Sequence, residues 1–110
     1  MSIINTNTVD AIAISYDRKG IKMIIEDYLG WEHEYNHLMT LQEKVNAYAA
    51  FFENKEYDAM YKGYPIEYGV IDIQFKFEPT EKALVFIEEA EKQLESRLPL
   101  NIEYHVMDKE

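Results

Sequence analysis

The sequence predicts an α+β fold, a two-layer sandwich in which two helices pack on one face of a four-stranded sheet. Four segments of strand length are rich in β-branched and aromatic residues. Two longer segments repeat apolar residues every three or four positions, as amphipathic helices do. The six segments follow one another in the order ββαβαβ, and because each helix has one apolar stripe, one shared layer buries both. The order of the strands within the sheet does not follow from these patterns.

The first two strands are predicted to form a hairpin. Residues 8–16 (TVDAIAISY) and 21–27 (IKMIIED) are apolar runs around a short loop that ends at Gly20. Because side chains alternate between the two faces of a strand, each run directs one set toward the helices. These sets are Ile12, Ile14 and Tyr16 in the first strand and Ile21, Met23 and Ile25 in the second.

The longest periodic segment predicts a helix from Trp31 to about Glu53. Its apolar stripe consists of Leu38, Leu41, Val45, Tyr48 and Phe52. Residues 54–69 contain two glycines, one proline and four tyrosines, which predicts a connection with one helical turn around Tyr57 and Tyr61.

The second half of the chain predicts a strand, a helix and a final strand. Residues 70–77 (VIDIQFKF) and 100–107 (LNIEYHVM) alternate, and residues 78–98 form a helix that begins near Pro79 and stops before Pro99. The inward residues are Ile71, Ile73, Phe75 and Phe77, then Ala83, Ile87, Ala90, Leu94 and Leu98, then Leu100, Ile102, Tyr104 and Val106. The solvated side of the helix is expected to carry Glu88, Glu89, Glu91 and Glu95.

Length and composition are those of one globular domain that spans residues 1–110. The absence of cysteine excludes disulfides and thiolate metal sites and fits a reducing cytoplasm. No apolar run has the length of a signal peptide or a membrane span. With 21 acidic and 11 basic residues the net charge is −10, which repels nucleic acid and anionic lipid and attracts a basic protein. We therefore expect a cytoplasmic protein that binds neither nucleic acid nor membrane.

Residues 33–37 (HEYNH) match H-E-x-x-H, in which two histidines one helical turn apart bind zinc and the glutamate acts as a base. A zinc-dependent hydrolase that uses His33, Glu34 and His37 is therefore one hypothesis. Such a site needs a third ligand, however, and the only other histidine is His105 on the last strand. The simpler interpretation is that Glu34 favours the helix N-terminus and His37 is a boundary residue hydrogen-bonded to its neighbours. On that interpretation the protein holds no metal.

The run from Trp31 to Tyr48, W-E-x-E-x-x-H-L-x-x-L-Q-E-K-x-N-A-Y, resembles a family of small bacterial proteins classed as a domain of unknown function. The segments VDAIAI and FKFEPTEKALVFIEEA are similar to the same family, so the resemblance covers most of the chain. His37 matches the family pattern, whereas at His33 the family usually has an acidic or other polar residue. The resemblance thus implies no zinc-binding pair, and it implies no activity.

Two groups of residues are candidates for binding. Gln42 and Asn46 lie one helical turn apart beside the apolar stripe, where they fix the helix to neighbouring backbone or recognise a ligand. The tyrosines of the connection offer large contact area with a polar tip, which suits an interface, or else they cover the end of the core. They are Tyr57, Tyr61, Tyr64 and Tyr68, and the first two with Tyr48 would line a pocket for a small ligand.

The sheet face opposite the helices should carry small apolar side chains among polar ones. Alternation places Ala11, Ala13, Ile24 and Val70 there, together with Asp72, Gln74, Lys76 and His105. Such a mixture is typical of an interface. We therefore expect a homodimer through this face, with Val70 among its contacts, that tightens as salt screens the repulsion between two acidic chains.

These features favour a small, acidic, non-catalytic interaction module without a cofactor. It would bind itself, or act as an inhibitor or immunity-type partner of a basic protein. The alternatives are the zinc-dependent hydrolase and a small-ligand-binding domain. Stoichiometric zinc would support the first alternative, and a saturable ligand-induced rise in melting temperature would support the second.

Overall fold

The computed structural model describes residues 11–107, in which four strands and two helices follow the predicted order ββαβαβ. The strands are β1 (Ala11–Ile14), β2 (Gly20–Asp27), β3 (Tyr68–Phe75) and β4 (Leu100–Val106), and the helices are α1 (Glu34–Glu53) and α2 (Glu81–Glu95). A short 3₁₀ helix (Glu56–Ala59) lies where the sequence predicts one helical turn. The α+β fold class is confirmed, whereas the predicted start of the first strand at residue 8 lies outside the described residues. Among residues 11–107, no helix combines the length and the apolar character that a membrane crossing requires.

The four strands form one mixed sheet in the order β1-β2-β3-β4. β1 is antiparallel to β2, while β2, β3 and β4 run parallel to one another. Parallel neighbours need a crossover connection, and α1 and α2 supply the two crossovers. Both crossovers step in the same direction across the sheet, and such connections are right-handed, so the two helices fall on the same face.

One hydrophobic cluster lies between the helices and this face of the sheet. The predicted inward residues of the two central strands are all buried up to the end of β3, namely Ile21, Met23, Ile25, Ile71, Ile73 and Phe75. The helices add Leu41, Val45, Tyr48, Phe52, Ile87 and Leu94. Each such aliphatic or aromatic side chain stabilises the fold by about 1.5–3 kcal/mol on burial, so this cluster is the main source of stability.

Three predictions at the ends of elements are wrong. Tyr16 lies beyond β1 and is fully exposed, and Phe77 lies beyond β3 and is 43% exposed. α1 begins at Glu34 instead of Trp31, since the residues before it form a turn. Each of these predictions extended a periodic pattern beyond the regular backbone hydrogen bonds of the element, and sequence patterns mark such ends poorly. Tyr104 faces the helix side of β4 as predicted, but it is 41% exposed because β4 is the last strand of the sheet.

Truncation of a central core residue should destabilise the protein strongly. Leu41 has 0% exposed surface, so Leu41→Ala should lower the free energy of unfolding by about 2–5 kcal/mol through lost burial and a cavity. Glu43→Ala, an exposed position on the same helix, should change it by less than about 0.5 kcal/mol. Urea unfolding of both variants measures the difference, and equal effects would mean that α1 presents a different side to the sheet.

Candidate interaction surface

A buried pair of ionisable groups joins the end of β2 to the first turn of α1. His37 Nε2 lies 2.6 Å from Asp27 Oδ2, and the two side chains are 2% and 0% exposed. His37 Nδ1 lies 2.9 Å from the carbonyl oxygen of Gly30, and Asp27 Oδ1 accepts a hydrogen bond from the N–H of Leu29 at 3.0 Å. The ring of Trp31 stacks on His37 with the ring centroids 3.7 Å apart. These contacts hold the connection between β2 and α1 in one compact turn.

The partners of His37 determine where its protons lie. A carbonyl oxygen can only accept, so Nδ1 donates to Gly30, and Nε2 faces the carboxyl group of Asp27 with one proton between them. Neither ring nitrogen offers a lone pair to zinc while these bonds persist. His33, the other histidine of the H-E-x-x-H motif, is exposed beside a depression of 260 Å³. The geometry therefore favours a structural role for His37 over zinc binding.

Removal of the His37 side chain should lower the free energy of unfolding far more than removal of the His33 side chain. His37→Ala leaves the buried carboxyl group of Asp27 without its partner, and we expect a loss of about 3–5 kcal/mol in the free energy of unfolding. His33→Ala removes an exposed imidazole and should cost less than about 0.5 kcal/mol. Urea unfolding at neutral pH compares the two variants. If His37→Ala were as mild as His33→Ala, the pair would not be a structural element.

Tyrosines of the connection close one end of the core. Tyr57 is buried with its ring centroid 5.8 Å from that of Phe52, and this burial raises the pKa of its hydroxyl. Tyr61 packs partly against the core and stacks on Tyr64, with centroids 6.1 Å apart. Tyr64 is 39% exposed and has the guanidinium carbon of Arg18 5.8 Å from its ring centroid. The segment therefore offers surface at Tyr61 and Tyr64, while Tyr57 acts in packing.

Tyr48 and Tyr68 have their hydroxyl groups bound within the fold. Tyr48 is 0% exposed and donates to the carbonyl oxygen of Ile24 at 2.8 Å, so it has no surface to offer a ligand. Tyr68 donates to the carboxylate of Asp17 at 3.1 Å. The pKa of Asp17 is lowered, chiefly because the hydroxyl of Ser15 also donates to it. Tyr68 thus fastens the start of β3 to the β1–β2 turn.

Gln42 and Asn46 lie together at a shallow groove between α1 and α2. Both side chains are exposed, and with Phe86 and Glu89 among its other lining residues the groove has a volume of 160 Å³. Neither amide makes a side-chain hydrogen bond to another residue within 11–107. The amides are therefore open to a ligand or partner and do not fix α1 to neighbouring backbone.

The sheet face opposite the helices, called the open face below, has the composition that alternation predicts. Two adjacent rows across the sheet consist of Ala11, Ile24, Asp72 and Glu103, and of Ala13, Lys22, Val70 and Asn101. Gln74 and His105 are paired in a third row, whereas Lys76 lies beyond the end of β3. Apart from Lys76, the predicted residues of this face are confirmed.

A polar cluster on the open face is centred on Asp72, which is 2% exposed. One of its carboxylate oxygens lies 2.8 Å from His105 Nδ1, and the other accepts from the amide of Gln74 at 3.2 Å. Asp72, Glu103 and His105 bring three ligand atoms within 4.8 Å of one another, a donor set suited to a divalent transition metal. Lys22 Nζ lies 3.2 Å from Glu103. Each carboxylate oxygen of Asp72 thus has a partner, and Glu103 is paired with Lys22.

Two carboxylates of α2 hold β4. Glu91 Oε2 accepts a hydrogen bond from the backbone N–H of Ile102 at 3.0 Å, and Glu95 accepts one from the side-chain amide of Asn101. Glu95 is exposed, as predicted for the solvated side of α2, whereas Glu91 is half-buried at its contact with β4. Helical phase did not indicate these contacts, because β4 reaches the flank of α2 and not its apolar stripe.

Beside these contacts, a groove with a volume of 500 Å³ lies between α2 and β4. This α2–β4 groove is lined by Leu84, Ile87, Glu88, Glu91, Ile102, Glu103 and Tyr104. Leu84 and Tyr104 are 37% and 41% exposed. Three of its lining residues are acidic and none is basic, although Lys22 reaches one of them, Glu103. The groove combines exposed apolar surface with negative charge.

Sequence reasoning missed the α2–β4 groove, although one signal for it was present. Leu84 and Val85 are apolar but lie outside the buried apolar stripe of α2, which includes Ala83 and Ile87. Both are exposed, Val85 to 56%. Apolar residues off the core stripe of a helix are candidates for an interaction surface.

Fold and surfaces together define a small α+β protein with an acidic, partly apolar groove at the last strand of its sheet. The chain belongs to DUF6572, a family of unknown function, which it matches over residues 1–108. The match confirms the resemblance to a family of unknown function. Comparisons with curated proteins and with solved structures give no match.

Proposed function

We propose that this protein is a non-catalytic interaction module that binds a basic segment of a partner protein at the α2–β4 groove. The observation that carries the proposal is the composition of the groove, in which the exposed side chains of Leu84 and Tyr104 lie among Glu88, Glu91 and Glu103. Apolar and aromatic surface supplies binding energy, whereas carboxylates at the rim select a basic partner and accelerate its association. The net charge of −10 acts in the same direction at longer range.

The polar groups best suited to catalysis are engaged in structural bonds, which supports binding as the function. Asp27 and His37 are buried and bound to each other. Asp72 is bound to His105 and Gln74. His105 is 60% exposed on the open face, where water competes for its nitrogen atoms, whereas electrostatic catalysis gains most in a water-excluded site.

Charge reversal in the groove should weaken binding of the partner. The partner is captured from the native cell, purified, and titrated against the wild-type protein by calorimetry at physiological salt. Glu88→Lys should weaken binding by about tenfold, because it replaces an attraction to the partner's basic residues by a repulsion. Unchanged affinity, or a partner that is acidic, would contradict the proposal.

Glu89→Lys is the matched control. Glu89 is the next residue of α2, is exposed like Glu88, and lines the other groove beside Gln42 and Asn46. Glu89→Lys changes the net charge by the same amount as Glu88→Lys but outside the α2–β4 groove, so we expect less than about a twofold loss of affinity for the partner. Equal losses for both variants would mean that only the overall charge attracts the partner.

Homodimer formation through the open face is a second candidate function. Two adjacent rows of this face favour it, because Ala13 and Val70 flank Lys22 in one row and Ile24 lies in the next. Small apolar side chains among polar ones are typical of an interface and less so of a solvated sheet face. The charge of −10 on each chain opposes the association unless salt screens it.

Sedimentation at low and at physiological salt tests the dimer. The wild-type protein should associate more strongly at the higher salt concentration, because a Debye length of about 8 Å confines the repulsion to near neighbours. Val70→Lys should abolish association, because a symmetric interface would bury the new charge twice. A strict monomer in both salts would remove the dimer, and a dimer that tolerates Val70→Lys would place the interface elsewhere.

A further inference from the structure

The hydrogen bonds at the two ends of the β3–β4 pairing define the outer edge of β4. The N–H of Gly69 donates to the carbonyl of Pro99 at 2.9 Å, and the N–H of Met107 donates to the carbonyl of Phe75 at 2.7 Å. In a parallel ladder every second residue of a strand bonds to a given neighbour, so the odd-numbered residues of β4 face β3. The backbone groups of its even-numbered residues therefore point away from the sheet.

These outward groups are only partly occupied. The N–H of Ile102 donates to Glu91, whereas the N–H of Tyr104 has no acceptor within residues 11–107. β4 is seven residues long and is the last strand of the sheet. A long edge strand with unpaired backbone groups is a template for a further strand. The edge that borders the α2–β4 groove is thus suited to pairing.

We infer that the basic segment of the partner binds as an extended strand that pairs with the outer edge of β4. This inference rests on the proposed function and specifies the occupant of the groove. Alternate side chains of an added strand point to opposite faces of the sheet. On the helix side they contact Leu84 and Tyr104, and on the other side they lie beside Glu103. The segment therefore alternates apolar residues with lysine or arginine.

Glu91 is a replaceable cover of this edge. Its carboxylate accepts from the N–H of Ile102, the group that a backbone carbonyl of the added strand takes over. The N–H remains satisfied after the exchange, and the released carboxylate pairs with a basic side chain of the segment. An acidic or uncharged segment provides no partner for the released carboxylate, so the exchange selects a basic one.

A second copy of the chain is a poorer occupant of the edge. Pairing of two β4 strands would bring Glu88 and Glu91 of both copies to one interface, and each chain carries a net charge of −10. Like charges across neighbouring strands are destabilising. A basic segment from another protein meets the same carboxylates with the opposite sign.

A synthetic peptide of alternating lysine and valine is the probe for strand addition, because main-chain pairing tolerates many sequences. Calorimetry should show saturable binding with a Kd below about 1 mM, and the matched peptide of alternating glutamate and valine should not bind. Amide hydrogen exchange then locates the contact. At saturation, exchange of the Tyr104 N–H should slow by about tenfold, while those of Glu103 and His105, already bonded to β3, should change little.

Proline at position 104 is the second test. Tyr104→Pro removes an outward N–H and leaves the ladder to β3 intact, a position at which an edge strand accepts proline. The control is Tyr104→Ala, which removes the same side chain and keeps the N–H. We expect Tyr104→Pro to bind the lysine–valine peptide about tenfold more weakly than Tyr104→Ala. The exchange measurement on the wild type stands if the proline variant does not fold.

The outcomes separate strand addition from the proposed function. Absence of saturable binding below about 1 mM overturns strand addition, as does peptide binding that leaves exchange of the Tyr104 N–H unchanged. In both of these cases the groove remains the binding surface if Glu88→Lys weakens binding of the captured partner and Glu89→Lys does not. The inference is also overturned if the wild-type protein is a dimer that Tyr104→Pro dissociates and the peptide does not bind. That result assigns the edge of β4 to a second copy of the chain.

Discussion

The position of α1 on the sheet depends on the buried pair of Asp27 and His37. Burial of two ionisable groups costs several kcal/mol per ion, and the cost is recovered only where the remaining polar atoms are also satisfied. Here Leu29 and Gly30 satisfy them within the same turn, and Trp31 covers the imidazole. An apolar pair would bury a similar area, but it would not require one geometry of the turn. The hydrogen-bonded pair does require it, and thereby determines where α1 starts and how it meets β2.

Periodicity predicted the fold because the elements that it identified are long and have one buried side. Ile71 and Ile73 lie in a central strand, and alternation located them correctly. The start of α1 could not be predicted, because a hydrogen bond between His37 and Gly30 competes with the helical pattern. Strand order was also out of reach, since alternation describes the faces of a strand and not its neighbours. Tyr104 shows the consequence, because a residue that faces inward on a central strand is partly exposed on an edge strand.

The candidate site was harder to predict for a related physical reason. Gln42 and Asn46 were found from helical phase, and the structure brings them together at one groove. The α2–β4 groove depends on how two consecutive elements approach each other, which neither helical phase nor strand alternation describes. Glu91 was assigned to solvent because its phase on the helix is polar, yet the edge of β4 supplies a backbone donor there. Tertiary contacts of this kind convert an ordinary surface carboxylate into part of the proposed binding surface.

The carboxylates around β4 oppose pairing of this strand edge with a second copy of the acidic chain. Natural sheets protect their edges by short strands, by charge, or by cover. β4 has both charge and cover, because Glu91 occupies one of its backbone donors and Glu88 lies beside it. Charge repels a second acidic chain and attracts a basic one, so under the proposed function the same side chains that oppose self-pairing also select the partner. In that proposal, protection of the edge and recognition by it are two effects of a single distribution of charge.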